Sequence, residues 1–212
     1  MKKLVQSIVA WLMVGCMTNA YSEEVETPSV EGEPEVETIV EPKMDSIVLG
    51  GGCFWCIEAA CQRLEGVESA VSGYMGGHVK NPTYEQVCSK KSGHIEVVRV
   101  IFDANKISTE SLLDWFWKMH DPTTKDRQGN DKGPQYASAV FYNSEQQQRV
   151  VEASIEANQQ HFKDPIVTVV KKCETFYPAE AFHQDYYNLN KKTNSYCKYV
   201  ITPKLQKLSL EK

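Results

Sequence analysis

A triple glycine followed by a cysteine constrains the fold of this chain more than any other feature. The apolar residues 47–49 precede glycines 50–52, and the helix-forming residues 57–64 follow Cys53 and end before Gly66. An apolar run, a glycine turn and a helix-forming segment closed by glycine predict a strand, a tight turn and a helix. We therefore expect Cys53 at the N-terminus of that helix.

A cysteine at a helix N-terminus has the chemistry of a nucleophile. Free backbone N–H groups and the positive end of the helix dipole favour the thiolate, which is the reactive form. Cys56 follows Cys53 at a CxxC spacing, which is typical of redox-active thiols. A buried, unreactive cysteine within a glycine turn is the alternative that these residues alone leave open.

The order of the remaining segments predicts the fold class. Alternation and helical spacing predict strands at residues 67–74, 94–102, 137–142 and 166–171, and helices at residues 108–119, 144–161 and 179–189. With the first strand and helix this gives β-α-β-β-α-β, the ferredoxin-like (split βαβ) order, followed by further elements. We expect an α+β, two-layer domain with a mixed sheet, extra helices and a long C-terminal tail. Residues 74–92 and 121–135 are expected to be loops.

Charge separates an acidic segment from a nearly neutral remainder. The chain has 212 residues and a net charge of −5, and residues 21–45 hold nine carboxylates and one lysine. That stretch is poor in aromatic residues and is predicted to be a disordered linker. Residues 46–212 suffice for one folded domain and show no basic field. We expect a monomer without a nucleic-acid partner.

The first twenty residues have the composition of an export signal. Lys2 and Lys3 precede the mostly apolar residues 4–17, and Ala20 fits a signal-peptidase site. Residues 12–16 also resemble a bacterial lipoprotein box ending at Cys16. The sequence therefore predicts an exported protein of the periplasm or cell envelope, either freely soluble or lipid-anchored through Cys16.

Six segments, in order, resemble the peptide methionine sulfoxide reductase A family. They are Gly52-Cys53-Phe54-Trp55, Gly73-Tyr74-Met75-Gly76-Gly77, Asn81-Pro82-Thr83-Tyr84-Glu85-Gln86-Val87, Gly93-His94-Ile95-Glu96-Val97, Asp131-Lys132-Gly133-Pro134-Gln135-Tyr136, and Phe176-Tyr177-Pro178-Ala179-Glu180 running into His183-Gln184-Asp185-Tyr186-Tyr187. The resemblance covers residues 46 to about 204 and makes residues 46–212 the expected catalytic domain. It implies an α+β fold and thiol-dependent reduction of methionine S-sulfoxide, free or in proteins, as repair after oxidation.

The resemblance also implies roles for individual residues. Cys53 would attack the sulfoxide sulfur, and Phe54 and Trp55 would seat the methyl group. Glu96 would donate the proton, although its β-like surroundings leave a solvent-facing position open. The remaining implied substrate-binding residues are Tyr84 and Tyr136, which would bind the sulfoxide oxygen, and Asp131, which would order the same loop.

Attack leaves a sulfenic acid on Cys53, which a second cysteine must resolve to a disulfide. The resemblance favours Cys197, in the predicted flexible tail, over Cys56. A thioredoxin-like protein or a small dithiol would then supply electrons, with no cofactor and no metal. We expect Cys88 to be structural or incidental, and Cys61 and Cys173, on predicted helix and strand faces, to be small buried apolar residues.

Three alternatives remain open from the residues themselves. A thioredoxin-like disulfide exchanger would use Cys53 and Cys56, but no segment offers the cis-proline loop that it needs. A metal-binding module would use Cys53, Cys56, His78 and His94, although the histidine spacing is irregular. His183 is either a packed neutral histidine or a proton shuttle.

Overall fold

The computed structural model describes residues 41–211. The predicted export signal and most of the predicted acidic linker lie outside the described residues. Among the helices within the described range, none is both long enough and apolar enough to cross a membrane.

The described residues form eight strands and six α-helices. The strands are β1 Met44–Gly51, β2 Val67–Met75, β3 Ile95–Asp103, β4 Arg127–Gln128, β5 Asp131–Lys132, β6 Ser138–Tyr142, β7 Val169–Lys172 and β8 Tyr177–Pro178. The helices are α1 Phe54–Cys61, α2 Tyr84–Cys88, α3 Thr109–Met119, α4 Glu145–Asn158, α5 Tyr186–Asn190 and α6 Thr202–Lys207. Short 3₁₀ turns lie at Pro134–Tyr136, Gln159–His161 and Ala181–His183, and a π-helical turn lies at Cys197–Ile201.

The predicted ferredoxin-like order is confirmed in the main sheet. Its strands lie in the order β7-β6-β1-β3-β2-β8, and the inner four pair antiparallel. β7 extends one edge parallel to β6, and β8 extends the other edge antiparallel to β2. The sheet is therefore mixed, with β1 and β3 at its centre.

Alternating side chains of the central strands belong to two apolar clusters, one on each face of the sheet. On one face, residues such as Ile47, Val98 and Val100 join α1, α3 and the C-terminal segment in the larger cluster. On the other face, residues such as Val48 and Val97 form a smaller cluster. Both faces of β1 and β3 are therefore removed from water, and apolar burial of this kind contributes roughly 1.5–3 kcal/mol per large side chain.

Three local predictions need correction. Residues 74–92 contain α2, which begins with a capping box between Thr83 and Gln86. Residues 121–135 contain the β4–β5 hairpin. The single helix predicted at 179–189 is two elements, because Asp185 has a left-handed φ of 50° and interrupts the helical path.

The C-terminal tail is helical and packed, not the predicted flexible polar segment. Ile201, Leu205 and Leu208 recur at helical spacing and are buried in the main core. Surrounding lysines and polar residues mask this stripe in the sequence, which explains the missed helix. The consequence is that Cys197 is held against the body of the domain.

Candidate active site

The turn between β1 and α1 places Cys53 at the predicted position. Gly52 has φ +89°, a left-handed conformation that favours glycine, and a Cβ there would lie 2.6 Å from Cβ of Gln128. Cys53 is the N-cap of α1, and the Cys56 N–H donates to the Cys53 carbonyl at 3.0 Å. The glycine turn therefore delivers both cysteines of the CxxC to the first turn of one helix.

A cavity of about 180 Å³ lies at this helix terminus. Its lining contains every predicted site residue except Cys56 and Cys197, and it also contains Tyr196, which was not predicted. The lining residues are Cys53, Phe54, Trp55, Tyr84, Glu96, Asp131, Tyr136 and Tyr196. Residues from five separate parts of the sequence thus meet at this cavity.

Glu96 is buried beside Cys53, which excludes the solvent-facing position that the sequence left open. Its side chain is 2% exposed, and Oε2 accepts the Phe54 N–H at 3.2 Å. Burial raises the pKa of Glu96 to about 8, and the charge of Asp131 raises it as well, while the Phe54 hydrogen bond opposes both. Glu96 is therefore mainly a neutral carboxylic acid at pH 7.

Cys53 and Cys56 are hydrogen-bonded at the start of α1, and each thiol affects the pKa of the other. Burial raises the pKa of the Cys53 thiol well above its usual value, and hydrogen bonding to Cys56 and the charge of that sulfur raise it further. The same hydrogen bond lowers the pKa of Cys56 to about 7, against the effect of burial. Burial of Cys53 therefore opposes the thiolate that the helix N-terminus favours.

The two predicted oxygen-binding tyrosines are neutral hydrogen-bond donors. Burial raises the pKa of both Tyr84 and Tyr136 above the usual range, and the charge of Glu96 acts in the same direction. Asp131, from β5, accepts a hydrogen bond from the Tyr196 hydroxyl at 3.0 Å. The side of the cavity facing Glu96 can therefore donate several hydrogen bonds to an oxygen atom.

Aromatic side chains form the opposite wall. Phe54 packs on Tyr74 with ring centroids 5.9 Å apart, and Trp55 stacks on Tyr186 at 3.7 Å. His183 lies behind this wall, 5.2 Å from the Phe54 ring, and burial lowers its pKa. It is a neutral histidine in an aromatic cluster, which supports the packed alternative.

Tyr196 is the site residue that the sequence reasoning missed. Its hydroxyl lies 4.0 Å from Sγ of Cys56 and donates to Asp131, which is 65 residues away. The only local signal was its position next to Cys197. Cys197 itself is 0% exposed, and burial and the charge of Cys56 raise its pKa.

The cavity lining contains no cysteine other than Cys53 and no histidine among the described residues. The six cysteines within residues 41–211 are free, and burial raises the pKa of Cys61 to about 12. His94 accepts the Gly77 N–H at Nδ1, and its Nε2 lies 2.7 Å from the Val79 carbonyl. Both ring nitrogens are thus engaged by backbone, so His94 does not join the cysteines as a metal ligand.

A CxxC at a helix N-terminus, beside a neutral carboxylic acid, defines a thiol-based oxidoreductase. Residues 45–212 match the family described as peptide methionine sulfoxide reductase. Peptide methionine sulfoxide reductase MsrA from Leptospira borgpetersenii is 52% identical to this chain over 164 residues, which are 77% of this chain and 93% of the Leptospira enzyme. The one from Chromobacterium violaceum is 52% identical over 168 residues, 78% and 94% of the two chains.

Solved structures agree with the sequence comparison. Reduced Mxr1 from Saccharomyces cerevisiae superposes with a TM-score of 0.69 at 30% identity, covering 72% of this chain and 89% of its own. Methionine sulfoxide reductase A of Corynebacterium diphtheriae superposes with a TM-score of 0.68 at 30% identity, covering 71% and 76%. The chain belongs to the peptide methionine sulfoxide reductase family, whose members are oxidoreductases that reduce methionine sulfoxide.

Proposed function

We propose that this chain reduces methionine S-sulfoxide to methionine with Cys53 as the nucleophile and Glu96 as the general acid. The observation that carries the proposal is the cavity that Cys53 and the neutral Glu96 line together. A sulfoxide must receive a sulfur nucleophile and a proton at the same time. Cys53 and Glu96 offer both in one cavity.

The proton balance of the first step follows from the resting state. Sγ of Cys56 takes the Cys53 proton, so that Cys53 becomes the thiolate and forms a bond to the sulfoxide sulfur. Glu96 gives its proton to the sulfoxide oxygen. The hydroxyl group then passes to Cys53 Sγ as the S–O bond of the substrate and the bond between the two sulfurs both break. Methionine leaves, its sulfur reduced by two electrons, and Cys53 is oxidised by two electrons to the sulfenic acid.

The remaining cavity residues orient the substrate. The Tyr84 and Tyr136 hydroxyls donate to the sulfoxide oxygen, and Phe54 and Trp55 contact the methyl group. Asp131 holds the Tyr196 hydroxyl and so fixes the side of the cavity nearest the cysteines. Positioned donors of this kind stabilise charge that develops on an oxygen in the transition state.

Two cysteines can resolve the sulfenic acid, and the geometry supports a sequence in which both act. Cys56, hydrogen-bonded to Cys53 in the same helical turn, attacks first, releasing water and forming the Cys53–Cys56 disulfide. Cys197 then gives up its proton and attacks Cys56, which frees the Cys53 thiolate and transfers the disulfide to the C-terminal segment. Direct attack by Cys197 on Cys53, which the sequence favoured, is the competing route.

A thioredoxin-like dithiol protein is the proposed electron donor. One structural neighbour is titled Mxr1 in complex with Trx2; at 22% identity and a TM-score of 0.50 it shares the fold with this chain, covering 67% of it and 87% of its own. Support for the donor here comes from the chemistry, because a disulfide between two protein cysteines is reduced by exchange with a dithiol.

Activity on separated epimers tests the proposed function. Purified chain is mixed with the S or the R epimer of methionine sulfoxide, each with dithiothreitol, and methionine release is measured. We expect turnover of the S epimer and at least about a hundredfold less of the R epimer, because one chiral cavity positions one oxygen. Equal rates, or none with either epimer, would contradict the proposal.

The proposal includes export to the periplasm or cell envelope, supported by Lys2, Lys3 and the apolar residues 4–17. Fractionation and mass spectrometry of the mature N-terminus test it. A chain beginning at Tyr21 identifies the soluble form, and a diacylated Cys16 identifies the anchored form. An intact Met1 on cytosolic protein contradicts export.

A further inference from the structure

The carboxylate of Glu180 joins three elements at the edge of the cavity without lining it. Oε1 accepts the backbone N–H of Tyr84 at 2.8 Å, and Oε2 accepts the Tyr74 hydroxyl at 3.0 Å. Nε2 of His183 lies 3.8 Å from the same Oε2. Glu180 thus connects the first residue of α2, the end of β2 and the 3₁₀ turn that follows β8.

Each contact of Glu180 leads to a residue that borders the cavity. The Tyr84 side chain lines it directly. Tyr74 is paired with Glu96 across β2 and β3 and packs on Phe54. The His183 ring packs on the Tyr84 ring with centroids 4.6 Å apart.

The charge of Glu180 suits this role. Partial burial raises its pKa, but hydrogen bonds from backbone N–H groups and from Tyr74, together with the nearby His183, hold the pKa below its usual value. An ionised carboxylate makes stronger hydrogen bonds than a neutral acceptor. The link to Tyr84 is therefore a charge-assisted bond to the backbone of a short helix of five residues.

We infer that Glu180 is a positioning residue for the sulfoxide oxygen, acting through Tyr84. Its carboxylate fixes the backbone from which the Tyr84 hydroxyl reaches into the cavity, and its contact with His183 backs the ring. This inference rests on the proposed function, because it assigns to Glu180 the placement of a donor that the proposed reaction uses. Tyr136 follows Gly133 and Pro134 in a separate turn and makes no contact with Glu180 in the described structure.

A double-mutant cycle separates this role from general support of the fold. The single-turnover rate of methionine release is measured for Glu180→Ala in three backgrounds: the native sequence, Tyr84→Phe and Tyr136→Phe. We expect Glu180→Ala to lower this rate by about 30-fold in the native background and by the same factor in the Tyr136→Phe background. In the Tyr84→Phe background we expect Glu180→Ala to lower the rate by less than about threefold, since the hydroxyl being positioned is already absent.

The conservative variant gives the second arm. The amide oxygen of Glu180→Gln can still accept the Tyr84 N–H. We therefore expect the single-turnover rate of this variant to be only about fivefold below that of the native protein. If Glu180→Ala does not fold, as judged by circular dichroism, the same cycle is run with Glu180→Gln. Equal losses in the Tyr84→Phe and Tyr136→Phe backgrounds would overturn the inference while leaving the proposed function intact. Absence of methionine release from the native protein would instead contradict the proposed function.

Discussion

In the proposed mechanism two regions of the molecule supply cysteines, and these regions are built differently. Cys53 and Glu96 lie at the end of β1 and within β3, adjacent strands at the centre of the sheet. Cys197 lies in one π-helical turn near the C-terminus, followed by the six-residue α6. The bond-breaking step is therefore placed on the most constrained backbone, and the exchange step on a peripheral one.

The difference matters because the second region has to move. Cys197 is fully buried, whereas its neighbour Tyr199 is 71% exposed. A protein reductant cannot reach Cys197 without local opening of this segment. A single π-helical turn is a short element, and short peripheral elements open at lower free energy than central strands. Its conformation suits a cysteine that must exchange partners.

The largest expected effect is that of removing the nucleophile from the rigid region. Cys53→Ser should reduce methionine release by at least about a thousandfold, because serine is a far weaker nucleophile toward sulfur. Cys61→Ser, at a buried position on the same helix, is the matched control and should keep most activity. Turnover by Cys53→Ser within about tenfold of the native rate would break the assignment.

The second effect concerns the acid. Glu96→Gln should slow single-turnover methionine release by about 10²–10⁴, since glutamine can hold the oxygen but cannot give up a proton. Asp103→Asn, a buried carboxylate on the same strand, is the control and should affect stability without a comparable loss of rate. Matching single-turnover rates for Glu96→Gln and the native chain at neutral pH would exclude Glu96 as the acid.

The pKa of Glu96 also predicts two pH dependences. Because its acid form is lost above about pH 8, the native single-turnover rate should fall there, and this fall should be absent from Glu96→Gln. The native fold binds this proton more tightly than the unfolded chain does, so its stability should decline between about pH 4.5 and 8. Denaturation of Glu96→Gln over that window should lack this decline.

These predictions also show where sequence reasoning reaches its limit. Glycines 50–52 and the following helix-forming run are local signals, and they placed Cys53 correctly. The burial of Glu96 could not be predicted from the sequence. Both faces of β3 contribute to apolar clusters, so its sequence lacks the alternation that would separate a buried face from a solvent-facing one. Tyr196 was missed because its contact with Asp131 depends on how α6 docks, which only three apolar side chains signal.

The third effect falls on the C-terminal region that holds Cys197. Cys197→Ser should still release about one methionine per chain, because the attack on the sulfoxide does not involve Cys197. Its turnover with a thioredoxin-type protein should fall by about a hundredfold, while a small dithiol should still support turnover. Cys56→Ser should slow the first turnover, because Cys56 accepts the Cys53 proton in the proposed mechanism, and its first disulfide should be the Cys53–Cys197 bridge.

Peptide mapping of the oxidised chain decides between the two routes. A Cys53–Cys56 bridge formed first and a Cys56–Cys197 bridge formed later would support the sequential route. A Cys53–Cys197 bridge formed at once would support direct attack by Cys197. A Cys53–Cys56 bridge as the sole product, with full recycling of Cys197→Ser by the protein reductant, would remove Cys197 from the mechanism.

The smallest effect is expected at the residue that joins the two regions. Tyr196→Phe removes the hydrogen bond to Asp131 and keeps the ring against Trp55, so we expect single-turnover rates to change by less than about fivefold. The anchor of the Cys197 turn is weakened, however, so backbone amides of residues 197–201 should exchange with deuterium several-fold faster. Tyr199→Phe, which alters an exposed hydroxyl in the same turn, is the control and should leave exchange unchanged. If Tyr196→Phe also leaves exchange unchanged, Tyr196 does not hold the recycling cysteine in place, and the segment opens independently of the cavity.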